Sequence, residues 1–242
     1  VGYDKISPYV VQALVATEDV RFYDHSGIDF IALGRAIVKR GMLRQKSAGG
    51  GSTITQQLAK QLYSGTAHSV MERLLQKPIE WVIAVQLERN YTKDEIIAMY
   101  LNYFDFLHNA VGIKTASNTY FGKEPKDLTV NEAATLIGLC KNPSYFNPVR
   151  YKERSQERRN VVLGQMVKAG YLTDAQYEQY SAEPLKLNFH VSDHKDGVAV
   201  YFRDFLRRYM MAKKPERSEY PSWNMVKYHQ DSINWETDPL YG

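Results

Sequence analysis

Apolar positions along this chain recur with a helical period. Ser7 followed by Pro8 marks a helix start, and Val10, Val11, Leu14 and Val15 then fall on one face, running the helix toward Glu18. Four later starts read as capping boxes: Thr53 with Gln56, Ser69 with Glu72, Thr92 with Glu95, and Thr129 with Glu132. A further match, Thr173 with Gln176, follows Gly170, which is placed to close the preceding Arg-rich helix as its C′ residue. The stretch from Ser69 to Arg89 has room for about six turns, with Pro78 inside it. That proline removes one backbone bond and predicts a kink just before Glu80. No strand ladder is visible, and the residues by themselves predict an all-α class.

After Lys214 the pattern changes. Residues 215–242 hold three Pro, two of the three Trp, and five acids against two bases. They show no helical period and read as a linker or tail behind a domain spanning 1–214.

Composition narrows the class. A chain of 242 residues with 44% hydrophobic and 24% charged residues buries a core and is not disordered. The net charge of +4 is mild for a nucleic-acid binder, and the excess is local: from Phe30 to Met71 there are six Lys or Arg and no acid. This points to a local anionic ligand rather than a duplex. The single Cys140 forms no internal disulfide and names no compartment. The chain contains no apolar run of about 18 residues that could span a bilayer.

Two carboxylates 62 positions apart, Glu18 and Glu80, carry the candidate chemistry. Glu18 and Asp19 end an apolar helix and precede Phe22, Tyr23 and His25. Aromatic groups that desolvate a carboxyl raise its pKa and make it an acid or base near neutral pH. The alternative is a plain ion pair of Glu18 or Asp19 with Arg21 or Arg35. Glu80 has its own alternative, a solvated face residue on an amphipathic helix. Gly49-Gly50-Gly51-Ser52-Thr53 leads into a capped helix whose first turn suits an anion, with Lys39, Arg40, Arg44 and Lys46 upstream; a glycine hinge is the other reading. It is not a Walker loop, since no Lys precedes the Ser/Thr. Of the six His residues only His190 and His194 stand four apart, and no metal motif is read from them.

In this order the pieces resemble glycosyltransferase family 51, the peptidoglycan glycosyltransferases, found as the transglycosylase domain of class A penicillin-binding proteins and as monofunctional enzymes. The resemblance covers residues 7–150. Glu18-Asp19 through Phe22, His25 and Gly27 is similar to the first family motif. Gly51 through Gln57, continued by Leu58, Lys60 and Leu62, is similar to the second. The third, Arg-Lys-x-x-Glu, is here Gln76-Lys77-Pro78-Ile79-Glu80, with Arg73 one turn earlier placed to supply the missing cation. Lys93 through Asn102 is similar to the fourth, and Ala133, Leu136, Gly138, Lys141, Pro143 and Asn147-Pro148 to the fifth.

The resemblance implies a lysozyme-like, two-lobed helical domain with a central cleft. It implies polymerisation of lipid II into β-1,4 glycan strands, with inversion and release of undecaprenyl pyrophosphate, sensitive to moenomycin. Glu18 and Glu80 become the catalytic pair. Asp19, Phe22, His25, Ser52, Thr53, Gln56, Gln57, Lys60, Arg73 and Lys77 become substrate-binding or cleft-shaping residues. In the fourth motif, Lys93, Glu95, Tyr100 and Asn102 are read as a structural helix supporting the cleft, with Tyr100 in the core. No tightly bound cofactor is implied; a divalent cation, Mg²⁺ or Mn²⁺, would arrive with the pyrophosphate. Expected partners are lipid II, the growing glycan chain and the membrane surface, with no nucleic acid. The expected place is the periplasmic face of the inner membrane. Met42 and Leu43 beside Lys39, Arg40 and Arg44 suit an interfacial segment. Asn234 through Gly242 resembles the start of a connection to a fused transpeptidase domain. The rival readings are a lysozyme-like glycan-cleaving enzyme and a non-catalytic binding module.

Overall fold

Ser7 and Pro8 open the first helix as their order predicts. The computed structural model describes residues 1–37, 51–63, 70–190, 205, 213–221 and 224–237, with the side chains of 36–37, 70–74, 234 and 236–237 left aside. Helix α1 (Pro8–Glu18) has Pro8 in its first turn, while the Ser7 hydroxyl donates to Leu128 O instead of capping the helix. Its stripe Val10, Val11, Leu14 and Val15 is buried, as are Ala13 and Ala16, so the helix is enclosed on most sides.

Further α-helices among the described residues are α2 (Phe30–Ile37), α3 (Ile54–Tyr63), α4 (Val70–Asn90), α5 (Lys93–Tyr103), α6 (Ile113–Phe121), α7 (Val130–Leu139), α8 (Lys152–Lys168), α9 (Asp174–Ala182) and α10 (Met225–Thr237). Among the described residues there is no strand, only one isolated bridge between Asp105 and Val111. The all-α class holds. Helix α1 packs on α7 and α8, and α3 packs on α4 and α5. One apolar cluster joins Leu14, Phe22, Ile54, Leu58, Ile97, Tyr100, Leu136 and Leu163.

Local signals explain the helix ends. Thr92 with Glu95, Thr129 with Glu132 and Thr173 with Gln176 form complete capping boxes at the starts of α5, α7 and α9. Gly170, at φ +79°, follows the end of α8. Its N–H reaches Val167 O at 2.9 Å and that of Tyr171 reaches Met166 O at 2.9 Å, the paired bonds of a Schellman end. Helix α4 runs continuously through Pro78. The Ser69–Glu72 box, the residues Lys39, Arg40, Met42, Leu43, Arg44 and Lys46, and the glycines 49 and 50 lie outside the described residues.

The chain divides into two units, 1–191 and 192–242. Within the second unit, residues 225–237 are helical, where the sequence pattern predicts none. Among the described side chains of α10 none is fully buried, and its two aliphatic residues face out: Val226 is 83% exposed and Ile233 53%. Apolar periodicity, the signal sought, is absent from a helix that buries so little.

Candidate active site

Helix α1 stops where Asp19 leaves helical geometry, at φ −158° and ψ 75°. The two adjacent carboxylates therefore diverge. Asp19, 8% exposed, accepts from Ile54 N at 3.1 Å and from His25 Nε2 at 3.0 Å. Its negative charge thus sits on the positive end of α3, at the first N–H that an outside anion would have sought. Thr53 caps the same turn by accepting from Gln56 N at 3.1 Å, and its hydroxyl donates to Gly27 O at 2.7 Å. Gln56 Nε2 also donates to Gly27 O, at 3.3 Å, instead of closing the capping box.

These bonds make the stretch from Asp19 to Gly27 a latched loop. Thr53 and Gln56, 2% and 3% exposed, brace it from inside, whereas the sequence reading sets them at the substrate surface. Phe22 is fully buried and meets the His25 ring edge-on. Lys93 fastens the loop from α5: its Nζ donates to His25 O at 2.6 Å, pairs with Glu88 and lies 4.3 Å over the Phe22 ring. Arg21 turns to Asp24 and Asp29, so its pairing with Glu18 or Asp19 is not found.

Gly27 is held at φ +94°, and a Cβ there would lie 2.9 Å from the backbone carbon and oxygen of Ala84 on α4. Gly27→Ala is expected to destabilise the protein by about 2–3 kcal/mol through backbone strain and this clash. A fall in melting temperature, with the same helical content at low temperature, is the measurement that checks it.

Glu18 is half-buried and faces a different set of groups. Gln57 Nε2 donates to Glu18 Oε2 at 3.0 Å, and Tyr100 OH donates to Gln57 Oε1 at 3.2 Å. Behind them lie Cys140 and Arg158. Burial pushes the Cys140 thiol well up, and the Glu18 charge adds to this. Burial likewise raises the Tyr100 phenol, with further push from Cys140 and Glu18. Arg158 is lowered by burial, and the charges of Glu18 and Cys140 oppose that shift. Its side chain runs past Gly138, where a Cβ would stand 3.1 Å from Arg158 Cγ, so a small residue is needed there. Sequence reading missed Cys140 and Arg158 at this site, and it placed Tyr100 only in the core. Their signal is tertiary: α1, α3, α5, the C-cap of α7 and α8 each contribute one group.

Glu80, on α4, is 2% exposed, which removes the solvated-face reading. Its Oε2 pairs with Lys77 Nζ at 2.6 Å, one turn earlier. Lys77 itself is 38% exposed at the side chain, so its ammonium keeps a wet side. Arg73 lies on α4, its side chain outside the described set. Ser52 is half-buried and Lys60 is exposed on α3. Among the described residues no three His, Cys, Asp or Glu converge as metal ligands.

The helical domain thus carries one carboxylate held by an amide, a second paired with a lysine, and a loop from Asp19 to Gly27 fastened by α3 and α5. The family described as Transglycosylase matches residues 1–167. The chain belongs to that family, the peptidoglycan glycosyltransferases of family 51. It is 41% identical over 206 residues to penicillin-binding protein 1F of Bacillus subtilis, covering 85% of this chain and 28% of that one. It is 39% identical over 220 residues to penicillin-binding protein 1A of Aquifex aeolicus, covering 89% and 29%. It is 38% identical over 210 residues to penicillin-binding protein 1A of Escherichia coli, covering 87% and 24%. The chain thus spans less than a third of the length of these relatives.

Proposed function

We propose that this chain polymerises lipid II into β-1,4 glycan strands. The observation that carries the reading is the position of Glu18: it is fixed by Gln57 at one oxygen, while Oε1 accepts no hydrogen bond among the described residues. A half-buried carboxylate held in place by a neutral amide suits a general base. In the proposed step the 4-hydroxyl of the acceptor GlcNAc attacks C1 of the lipid-linked MurNAc and its proton passes to Glu18. The new C1–O bond forms as the bond to pyrophosphate breaks, C1 inverts, and undecaprenyl pyrophosphate leaves.

Lys77 supports the departing group. An ammonium has three donors and Glu80 takes one, so the exposed side of Lys77 remains for phosphate oxygens. Glu80 then aims the lysine. A divalent cation bound with the pyrophosphate would add positive charge there. Lys60 and Arg73 are proposed as further contacts to the phosphates, and Ser52 and Gln57 as the donor-side edge of the site.

The substrate carries a long lipid, and α4 supports a membrane-facing role; the periplasmic side is proposed with it. Leu75, Ile79 and Val82, at 65%, 58% and 64% exposure, form one stripe on the helix that bears Lys77 and Glu80, and Phe30 and Ile31 are exposed at 71% and 62%. Among the described residues no helix is long and apolar enough to cross a membrane. Replacing Ile79 and Val82 together by Ser is expected to weaken binding to anionic liposomes about tenfold or more. Unchanged cosedimentation with liposomes would refute this surface.

A fused transpeptidase domain beyond the tail is proposed for the whole protein. The function is tested by following labelled lipid II and preformed glycan in parallel. Loss of lipid II with stoichiometric undecaprenyl pyrophosphate and new polymer is expected. Shortening of preformed glycan with lipid II untouched would make the chain a cleaving enzyme instead.

A further inference from the structure

We propose that Gln57 and Tyr100 are positioning residues that aim Glu18, a role that rests on Glu18 acting as the base. An ionised carboxylate only accepts, so the Gln57 group facing Glu18 must be the amide nitrogen. That places the Gln57 oxygen on the other side, where the Tyr100 hydroxyl donates to it.

Tyr100 is fully buried and its ring lies in the apolar cluster, so its hydroxyl is fixed in space. The Tyr100 hydroxyl, donating to the amide oxygen, favours this orientation over the flipped one, in which the oxygens of Gln57 and Glu18 would face each other. The order of control is therefore Tyr100, then Gln57, then Glu18. One carboxylate oxygen is pinned by this relay, which sets the direction of the carboxylate toward the sugar hydroxyl. Cys140, at the C-cap of α7, and Arg158, on α8, border the same chain. Among the described residues, the Glu18 charge acts on both of them.

Gln57 is then more than a lining residue of the donor site. A residue that binds substrate changes KM; one that aims the base changes kcat. Steady-state polymerisation of lipid II by the full-length protein separates the two, using Gln57→Leu, Tyr100→Phe, the double variant and Glu18→Gln. Gln57→Leu is expected to lower kcat about 10- to 100-fold, with KM within about twofold, as befits loss of a hydrogen bond to a charged group. Tyr100→Phe is expected to lower kcat about 3- to 10-fold alone, and to add less than about twofold in the Gln57→Leu background.

A raised KM with kcat unchanged in Gln57→Leu would overturn the proposal, as would an equal cost of Tyr100→Phe in both backgrounds. Should Gln57→Leu melt below the assay temperature, Tyr100→Phe decides, since it removes a single oxygen; unchanged kcat would then overturn the relay. Glu18→Gln separates the layers. Full activity there removes the base itself, whereas an inactive Glu18→Gln beside a normal Gln57→Leu removes only the relay.

Discussion

Glu18→Gln is expected to fold normally and to lose polymerisation by a factor of about 10² to 10⁴, the range that a general base contributes. The substitution keeps shape and hydrogen-bonding capacity but removes the proton-accepting charge. It sits at the end of α1, whose core contacts come from Val10, Leu14 and Val15, so folding should not depend on it. Initial rates on lipid II, beside melting temperatures that agree within about 2 °C, check both halves of the expectation. A variant that melts normally and polymerises at the native rate would leave Glu18 without a role in proton transfer.

The second large effect is expected at the Lys77–Glu80 pair. Lys77→Met leaves a carboxylate, 3% exposed at the side chain, without its cation. Removing one partner of a buried pair costs about 3 kcal/mol or more; the wet side of Lys77 places this case toward the lower end. A melting temperature lower by about 5–10 °C should follow. Turnover should fall by about 100-fold, because the leaving pyrophosphate loses a donor. Combining Lys77→Met with Glu80→Gln removes the stranded charge. That double variant is expected to regain most of the lost stability while turnover stays low, which separates the structural cost from the chemical one. A double variant no more stable than Lys77→Met would show that the Glu80 charge is not the source of the loss.

Much of the fold was legible because its signals are local. Thr92 with Glu95 and Thr129 with Glu132 are three residues apart, and each box closes within one turn whatever the rest of the chain does. Gly170 ends α8 for the same reason. Helix α10 escaped the pattern because Val226 and Ile233 face water, and a helix without a buried stripe leaves no period to read.

The candidate site divides along the same line. Glu18 and Glu80 could be singled out by type and order, but not their surroundings. Burial of Glu80 follows from helix packing, which spacing does not encode. Thr53 and Gln56 look like surface groups beside a glycine run, yet their partner is Gly27 O, 26 and 29 positions away. The N-terminus of α3 looked open to an external anion, yet Asp19, 35 positions upstream of Ile54, already accepts from its first N–H. Tyr100 follows an apolar period and was read as core, which is true of its ring; the hydroxyl that points at Gln57 is invisible to periodicity. Arg158 reads as one of several arginines on α8, and only packing against Gly138 brings it to Glu18.

The central claim is that this chain builds glycan with Glu18 as its base. Gel electrophoresis of the products from labelled lipid II tests it most directly, with the full-length protein, its Glu18→Gln variant and a moenomycin-treated sample run side by side. The account predicts a ladder of glycan strands from the unmodified protein alone. A ladder of equal intensity from Glu18→Gln, or no ladder from a folded unmodified protein that binds lipid II, would contradict it.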